Sequence, residues 1–242
     1  MAVSYENAGV TFIQPQLWPA EKPRSLQMRI AAVVLAAGGS TRFGEPKQLA
    51  AFRGQTFVRH IVAAAIEAGC APVVVVAGAD AAQITLELTG LAASIVMHPQ
   101  WSIGLGSSIG AGIQHVIDSS AELDAAILLA CDQPFVSAAA LRQLVQLRLT
   151  SGKPIVASAY AATLGIPALF DRSCFPDLLQ LKGDRGAKGI ILSRQHDVAP
   201  FNFPAAAIDI DTPADYQRFL SQNETASFPA EEFVKRAGLD RL

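Results

Sequence analysis

Short apolar runs alternate along the chain with longer segments whose apolar residues recur at helical spacing. The run Val73-Val-Val-Val76 is typical, since an unbroken apolar run favours a strand buried on both faces, as in a parallel sheet. Strands are predicted at residues 29–36, 72–77, 92–97, 125–130 and 154–158. Helices are predicted between them at residues 56–68, 80–88, 107–118 and 137–150. Such alternation indicates right-handed βαβ units.

The pattern becomes less regular after about residue 165. It predicts helices at residues 173–181, 186–194 and 213–221, with an extended stretch that ends at residues 209–211 before the last helix. We therefore predict a single-domain α/β fold at residues 28–221, with a doubly wound, mostly parallel, Rossmann-like sheet. Outside it lie a proline-interrupted extension at residues 1–27 and a tail at residues 222–242, with a short helix predicted at residues 229–238.

The composition supports a folded domain and excludes two classes of function. Of 242 residues, 51% are hydrophobic and 17% are charged, which is too apolar for a disordered chain. A net charge of −2 lacks the basic excess that nucleic-acid binding needs. The mean hydropathy is positive, but the longest charge-free apolar stretch near the middle, residues 68–79, is too short to span a bilayer.

The cysteines bear on the compartment. Cys70, Cys131 and Cys174 lie far apart and form no CxxC pair, which fits a reducing environment. No secretory signal pattern precedes the first predicted strand. The expected location is the cytoplasm.

The strongest local signal is a glycine-rich loop that follows the first predicted strand. Gly38, Gly39 and Gly44 allow the backbone to approach a ligand closely, and successive N–H groups in such a loop bind anions. Arg42 and Lys47 add two cations. The spacing matches neither the Walker pattern nor the dinucleotide fingerprint. The loop is therefore a candidate phosphate site, although a plain strand-to-helix turn with surface cations is the alternative.

A second signal is Asp132, in the segment Cys131-Asp-Gln-Pro134 after a buried strand. A carboxylate at the end of a parallel strand points into the crevice above the sheet, where Mg²⁺ binds carboxylates together with substrate phosphates. The alternative is structural, because Asp132 or Ser137 would also serve as the N-cap of the next helix. The sequence leaves both interpretations open.

A third signal is Asp209-Ile-Asp211, in which alternation places the two carboxylates on one face. Thr212 and Asp215 have the spacing of a helix capping box. Capping explains Asp211 less well, so Asp211 is a candidate second metal ligand. Two further glycine-rich loops, residues 104–110 and 182–188, suit substrate contact but are ordinary turns in isolation.

Taken in this order, the motifs resemble those of the MobA-like nucleotidyltransferase family, and within it the molybdenum cofactor cytidylyltransferase branch. The resemblance runs from about residue 30 to residue 220. It implies a GT-A-type nucleotidyltransferase that moves a cytidylyl group from CTP to the phosphate of the molybdopterin-bound molybdenum cofactor and releases pyrophosphate. It also implies Mg²⁺ as cofactor and a recipient molybdoenzyme as a further partner.

The resemblance carries over site residues by position. The catalytic residues implied are Arg42, Lys47 and Asp132, and the metal ligands are Asp132 and Asp211. Nucleotide-binding positions are Leu35, Ala36, Ala37, Gly38, Gly39, Ser40, Gly78, Gly106, Ser107 and Ser108. Acceptor-binding positions are Gly165, Pro167, Gly183, Asp184 and Gly186.

Two alternatives remain at this level. One is a transferase of the same fold that uses GTP, or that uses a sugar 1-phosphate, because fold and phosphate loop do not distinguish these substrates. The other is a non-catalytic carrier or chaperone of the molybdenum cofactor. The presence of Arg42, Lys47 and Asp132 together favours catalysis, because a carrier needs no triphosphate site.

Overall fold

A computed structural model describes residues 28–120 and 122–223. The strands are β1 (Ile30–Ala36), β2 (Ala51–Phe52), β3 (Gln55–Thr56), β4 (Val73–Ala77), β5 (Ser94–Met97), β6 (Ala125–Ala130), β7 (Ile155–Tyr160), β8 (Thr163–Asp171) and β9 (Val198–Asn202). The α-helices are α1 (Phe57–Glu67), α2 (Ala81–Glu87), α3 (Leu105–Ser119), α4 (Ala138–Ser151), α5 (Phe175–Leu179), α6 (Lys188–Ser193) and α7 (Pro213–Asn223). None of these helices combines the length and apolar composition that crossing a membrane requires.

Seven strands form one sheet in the order β5-β4-β1-β6-β8-β7-β9, while β2 and β3 form a small separate hairpin. Every neighbouring pair in the sheet is parallel except those of β8, which runs antiparallel to β6 and β7. The predicted doubly wound, mostly parallel α/β sheet is therefore confirmed. The chain leaves β1 towards β4 and β5 on one side and returns to β6 on the other, and ligands bind at such a switch point in open α/β sheets.

The sheet is buried on both faces, as its apolar runs predict. Val34 and Val75 pack with Ile61 of α1 in one core cluster, whereas Val33 and Val76 pack with Ile113 of α3 in a second cluster. Successive strand residues point to opposite faces, so one strand supplies both cores. This rigid double layer fixes the loops at the carboxyl ends of the central strands.

The structure differs from the sequence predictions in the last third of the described chain. Strand β8 was not predicted, because Gly165 and Pro167 within it are residues that strands disfavour. The final strand is β9, and residues 209–211 form no strand. The helix predicted at residues 173–181 is reduced to α5 after a 3₁₀ turn. The predicted extension, most of the predicted tail and the helix at residues 229–238 lie outside the described residues.

Two glycines of α3 make a matched pair that tests the packing of this helix on the sheet. A Cβ on Gly112 would lie 2.4 Å from a methyl group of Val33 and 2.9 Å from one of Val76, whereas a Cβ on Gly110 would meet only Leu179 O at 3.8 Å. We expect Gly112→Ala to lower the free energy of unfolding by about 1–3 kcal/mol through overpacking. We expect Gly110→Ala to raise it by up to about 1 kcal/mol through helix propensity. Urea unfolding of both variants is the measurement, and a Gly112→Ala protein as stable as the wild type would contradict the close packing.

Candidate active site

A cavity of 710 Å³ opens at the carboxyl ends of the central strands. Its wall is built from the loop after β1, the segment between β5 and α3, the residues that follow β6, and the segment that precedes α7. Residues of β7, of β8 and of the loop before α6 complete it. These segments are distant in sequence, and the switch in strand order at β1 brings them together.

The loop after β1 is held in shape by a buried glutamine. The side-chain amide of Gln48, only 2% exposed, donates to Ala36 O (3.1 Å) and to Gly38 O (2.6 Å). The Ser40 hydroxyl donates to Gln48 Oε1 (3.1 Å) and accepts from the backbone N–H of Lys47 (3.1 Å). The glycine-rich loop is therefore fixed by side-chain bonds. Sequence reasoning missed Gln48, whose burial becomes visible only in the fold.

Lys47 lies at the centre of the charged part of the cavity. Its ammonium is 2.7 Å from Asp132 Oδ2, 3.1 Å from Asp211 Oδ1 and 3.9 Å from Asp209 Oδ1. Burial lowers the pKa of this lysine, but the charge of Asp132 and the hydrogen bonds to Asp132 and Asp211 outweigh burial and raise the pKa above its usual range. Lys47 is therefore a permanent cation at this point.

Three carboxylates meet around Lys47. One oxygen each from Asp132, Asp209 and Asp211 lies within 4.8 Å of the others. Burial, and next the charge of Asp132, raise the pKa of the Asp209 carboxyl to about 7. Crowded carboxylate oxygens are hard ligands of the kind that Mg²⁺ and Mn²⁺ prefer, and a divalent cation would relieve their mutual repulsion. The donor set thus fits a divalent metal. Asp209 was noticed in the sequence only as a neighbour of Asp211.

Hydrogen bonds show which residues cap helices α4 and α7. Ser137, not Asp132, caps α4 by accepting from the Ala140 N–H (3.3 Å). Thr212 and Asp215 form the predicted capping box at the start of α7, because each side chain accepts from the backbone N–H of the other (3.1 Å in both cases). Asp211 instead contacts Lys47 and the Arg42 guanidinium, the latter at 2.8 Å.

The structure divides the predicted nucleotide-binding residues into two groups. Five of them line the cavity: Leu35, Ala37, Gly38, Ser40 and Ser108. The other five do not line the cavity. The Gly106 N–H donates to Gly183 O (2.9 Å), Ser107 Oγ donates to Gly104 O (2.7 Å), and Ala36 belongs to the buried core. Gly39 and Gly78 lie against the indole of Trp101.

The predicted acceptor-binding residues are divided in the same way. Asp184 lines the cavity, whereas Gly183 and Gly186 bring its loop against the start of α3. Pro167 lies in β8, where its carbonyl accepts from the Ser158 hydroxyl (2.6 Å). A Cβ on Gly165 would lie 2.3 Å from the hydroxyl of Tyr160.

Two aromatic residues of the cavity wall, Trp101 and Tyr160, belong to none of the motifs found in the sequence, and Gln133 lies beside Asp132 in such a motif but was given no role there. Gln133 is buried, and its amide donates to Ile166 O (3.0 Å) and Ala206 O (3.2 Å), which joins β8 to the segment before α7. Burial raises the pKa of the Tyr160 hydroxyl, and the charges of Asp209 and Asp132 raise it further. The tyrosine therefore stays protonated beside the carboxylates.

Known proteins with different named activities are similar to this chain in sequence. Nicotine blue oxidoreductase of Paenarthrobacter nicotinovorans is 30% identical over 205 residues, which cover 79% of this chain and 96% of that protein. A probable molybdenum cofactor guanylyltransferase of Bacillus mycoides (strain KBAB4) is 34% identical over 109 residues, which cover 45% of this chain and 52% of that protein.

Solved protein structures also resemble this chain in fold and in sequence. The crystal structure of Rv0371c from Mycobacterium tuberculosis H37Rv matches with a TM-score of 0.69 and 29% identity, over 80% of this chain and 98% of that one. A complex of the same protein with manganese matches with a TM-score of 0.64 and 28% identity, over 80% of this chain and 99% of that one. The family model described as the MobA-like NTP transferase domain matches residues 32–198. With the fold, the glycine-rich loop and this match in agreement, the chain belongs to the MobA-like NTP transferase family.

Proposed function

We propose that this protein transfers the cytidylyl group of CTP to the phosphate of the molybdenum cofactor and releases pyrophosphate. The observation that carries the proposal is the position of Lys47, which lies among three carboxylates beside an ordered glycine-rich loop. Such a site pairs a fixed cation with a candidate metal site, and together these two features neutralise the charge of a triphosphate. The similarity to a probable molybdenum cofactor guanylyltransferase supports the choice of acceptor.

The reaction is an in-line displacement at the α-phosphorus of CTP. An oxygen of the acceptor phosphate forms the new P–O bond while the bond to the β-phosphate oxygen breaks, and pyrophosphate leaves with that electron pair. A phosphate monoester has a second pKa near about 6, so the nucleophile is already anionic at neutral pH and needs no general base. In agreement, no histidine is present among the described residues that line the cavity.

The chain's own groups bind and neutralise the phosphates. Arg42, with 70% of its side chain exposed, would leave Asp211 to hold the β- and γ-phosphates together with the N–H groups of the loop. Lys47 would neutralise the charge that develops at the α-phosphate. Asp132 and Asp211, with Asp209 as a third ligand, would hold Mg²⁺, which supplies further neutralisation of the phosphate oxygens when bound.

The acceptor would occupy the end of the cavity that Tyr160, Ile166 and Asp184 line. The glycines predicted to bind the acceptor carry no side chain and would allow the backbone to approach the acceptor closely. At Gly165, for example, a Cβ would lie 2.3 Å from the hydroxyl of Tyr160. The product would pass to a recipient molybdoenzyme in the cytoplasm.

The preference for CTP over GTP is assigned in part to Ala37. This residue is 5% exposed and lines the cavity, and its carbonyl oxygen lies 2.5 Å from where a Cβ on Gly78 would be. The Cβ of Ala37 would narrow the pocket for the base, so that a pyrimidine fits and a purine needs more room. We expect Ala37→Gly to raise kcat/KM for GTP by about 10-fold, with CTP still preferred, because one methyl group in a tight pocket discriminates between substrates by about 10–200-fold. Steady-state rates with both nucleotides are the measurement. A wild-type protein that uses GTP as well as CTP would contradict both the pocket argument and the choice of branch.

The metal assignment predicts a specific defect for Asp211→Asn. We expect the Mg²⁺ concentration for half-maximal activity to rise by about 10-fold, because an amide oxygen replaces a charged ligand oxygen. Asp215→Asn is the matched control, since Asp215 caps α7 and its loss should lower stability without altering the metal dependence. An unchanged metal dependence in Asp211→Asn would assign Asp211 to structure.

The experiment that tests the function is pyrophosphate release with each of the four ribonucleoside triphosphates, with and without the molybdenum cofactor. The expected result is release with CTP that depends on the cofactor. Release with GTP, or release from a nucleotide when a sugar 1-phosphate replaces the molybdenum cofactor in a parallel assay, would select the same-fold alternative. Cofactor binding without pyrophosphate release from any nucleotide would overturn the proposal in favour of a carrier. A redox reaction without nucleotide consumption would place the chain with its oxidoreductase relative.

A further inference from the structure

The indole of Trp101 bridges the loops that follow two neighbouring strands. Trp101 lies in a 3₁₀ turn, Trp101–Ile103, between β5 and α3. A Cβ on Gly39, after β1, would lie 2.7 Å from the Cη2 atom of the ring, and a Cβ on Gly78, after β4, would lie 2.8 Å from its Cγ atom. The ring therefore extends from one glycine to the other, and its contact with both requires that neither residue carries a side chain.

The ring is also part of the cavity wall. Trp101 lines the same 710 Å³ cavity as Ala37 and Lys47. It is half-buried and packs against the core cluster that contains Ala37 and Val76. Backbone bonds fix the turn that carries it, because the Trp101 N–H donates to His98 O (3.1 Å) and the Gly104 N–H donates to Trp101 O (3.1 Å). A large aromatic ring is thus held in place beside a polar cavity.

The order of the strands separates this ring from the charged groups. Asp132 follows β6, whereas Gly78 follows β4, and β1 lies between those strands. Two strand spacings amount to about 10 Å. That separation is about the span from an α-phosphate across a ribose to its base. A triphosphate bound at Arg42 and Lys47 above β1 and β6 would therefore carry its base towards Trp101.

We propose that Trp101 is the stacking platform for the base of the bound nucleotide. The inference rests on the proposed nucleotide-dependent function and adds to it a residue that binds the base. Stacking on an aromatic ring adds affinity for any base, since every base has a π-face. Trp101 then contributes to the affinity for nucleotides in general, while the choice among bases rests on Ala37 and the surrounding backbone.

Fluorescence provides the first test. The chain has two tryptophans, so Trp18→Phe leaves Trp101 as the only one. In this protein we expect CTP and GTP to quench the fluorescence, and inorganic tripolyphosphate, which has no base, to bind by calorimetry without quenching. Fluorescence that no nucleotide changes, although calorimetry shows that the nucleotide binds, would overturn the proposal.

Substitution provides the second test, by calorimetry with CTP and with tripolyphosphate. Trp101→Ala should raise the Kd for CTP roughly 10–100-fold and that for tripolyphosphate by less than about two-fold, with Trp101→Phe intermediate for CTP. Ile103→Ala is the matched control, because Ile103 lies in the same turn, is 54% exposed and does not line the cavity. Ile103→Ala should bind both ligands as the wild type does.

The outcomes separate this proposal from the proposed function. Equal weakening of CTP and tripolyphosphate would assign Trp101 to structure, and tighter CTP binding by Trp101→Ala would mean that the ring occupies the place of the base. Either result would overturn the stacking proposal, even if cytidylyl transfer is observed. Selective loss of CTP affinity would support it, even if the molybdenum cofactor proves not to be the acceptor.

Discussion

Replacing Lys47 with methionine is expected to slow cytidylyl transfer by about 10²–10³-fold, the usual effect of removing one preorganised group that stabilises developing charge. The methionine keeps most of the length and apolar contacts of the side chain but removes the ammonium that lies 2.7 Å from Asp132 and 3.1 Å from Asp211. Single-turnover transfer with saturating CTP and Mg²⁺ measures the chemical step. The loss should appear in kcat more than in KM, because the charge at the α-phosphate develops in the transition state.

The matched control is Lys153→Met, at an exposed lysine between α4 and β7 that does not line the cavity. It should retain wild-type activity. The Lys47→Met protein should be destabilised in the absence of metal, because three carboxylates lose their shared cation, and Mg²⁺ should restore much of that stability. Near-normal turnover by Lys47→Met would show that the lysine only neutralises the carboxylates in the free protein.

Replacing Asp132 with asparagine is expected to reduce turnover by about 100-fold or more. A bound metal that neutralises phosphate charge lowers the activation barrier by several kcal/mol, and the variant would lose much of this effect. The volume of the side chain is almost unchanged, but a neutral amide is a poor ligand for Mg²⁺. Because Ser137 caps α4 and Lys47 retains Asp211, the melting temperature should stay close to that of the wild type.

Activity of Asp132→Asn across a range of Mg²⁺ and Mn²⁺ concentrations, together with a thermal melt, is the measurement. Asp197→Asn, which removes a surface partner of Arg194, is the control for loss of a carboxylate and should keep normal activity. Wild-type turnover by Asp132→Asn would remove the metal role from this residue. A large fall in melting temperature would show that its contact with Lys47 holds the fold.

The sequence predicted those parts of the fold whose signal is local. The apolar runs at β1, β4 and β6 were found because strands buried on both faces need unbroken apolar residues. Strand β8 was missed because the interactions that stabilise it are not local in the sequence. It is stabilised by pairing with β6 and β7 on its two sides, and this tertiary context overrides the unfavourable Gly165 and Pro167.

The same distinction applies to the site. The phosphate loop is one short segment, so its glycines and cations were visible together in the sequence. The contact of Lys47 with Asp211 joins residues 164 positions apart, and only the strand order brings them together. Trp101 and Tyr160 belong to no motif, and the sequence alone does not distinguish an isolated aromatic residue of a binding wall from one of a core.

The buried amide of Gln48 has a consequence for how fast and how tightly a nucleotide is captured. Ordering the backbone of one residue opposes binding by about 1–2 kcal/mol of conformational entropy, so a loop that ordered only around the triphosphate would weaken its affinity severely. In this protein the bonds from Gln48 to Ala36 and Gly38 order the loop when the domain folds. Binding at the phosphate end then loses little entropy. If the proposed function holds, we therefore expect association to be limited by the encounter of the triphosphate with Arg42 rather than by closure of the loop.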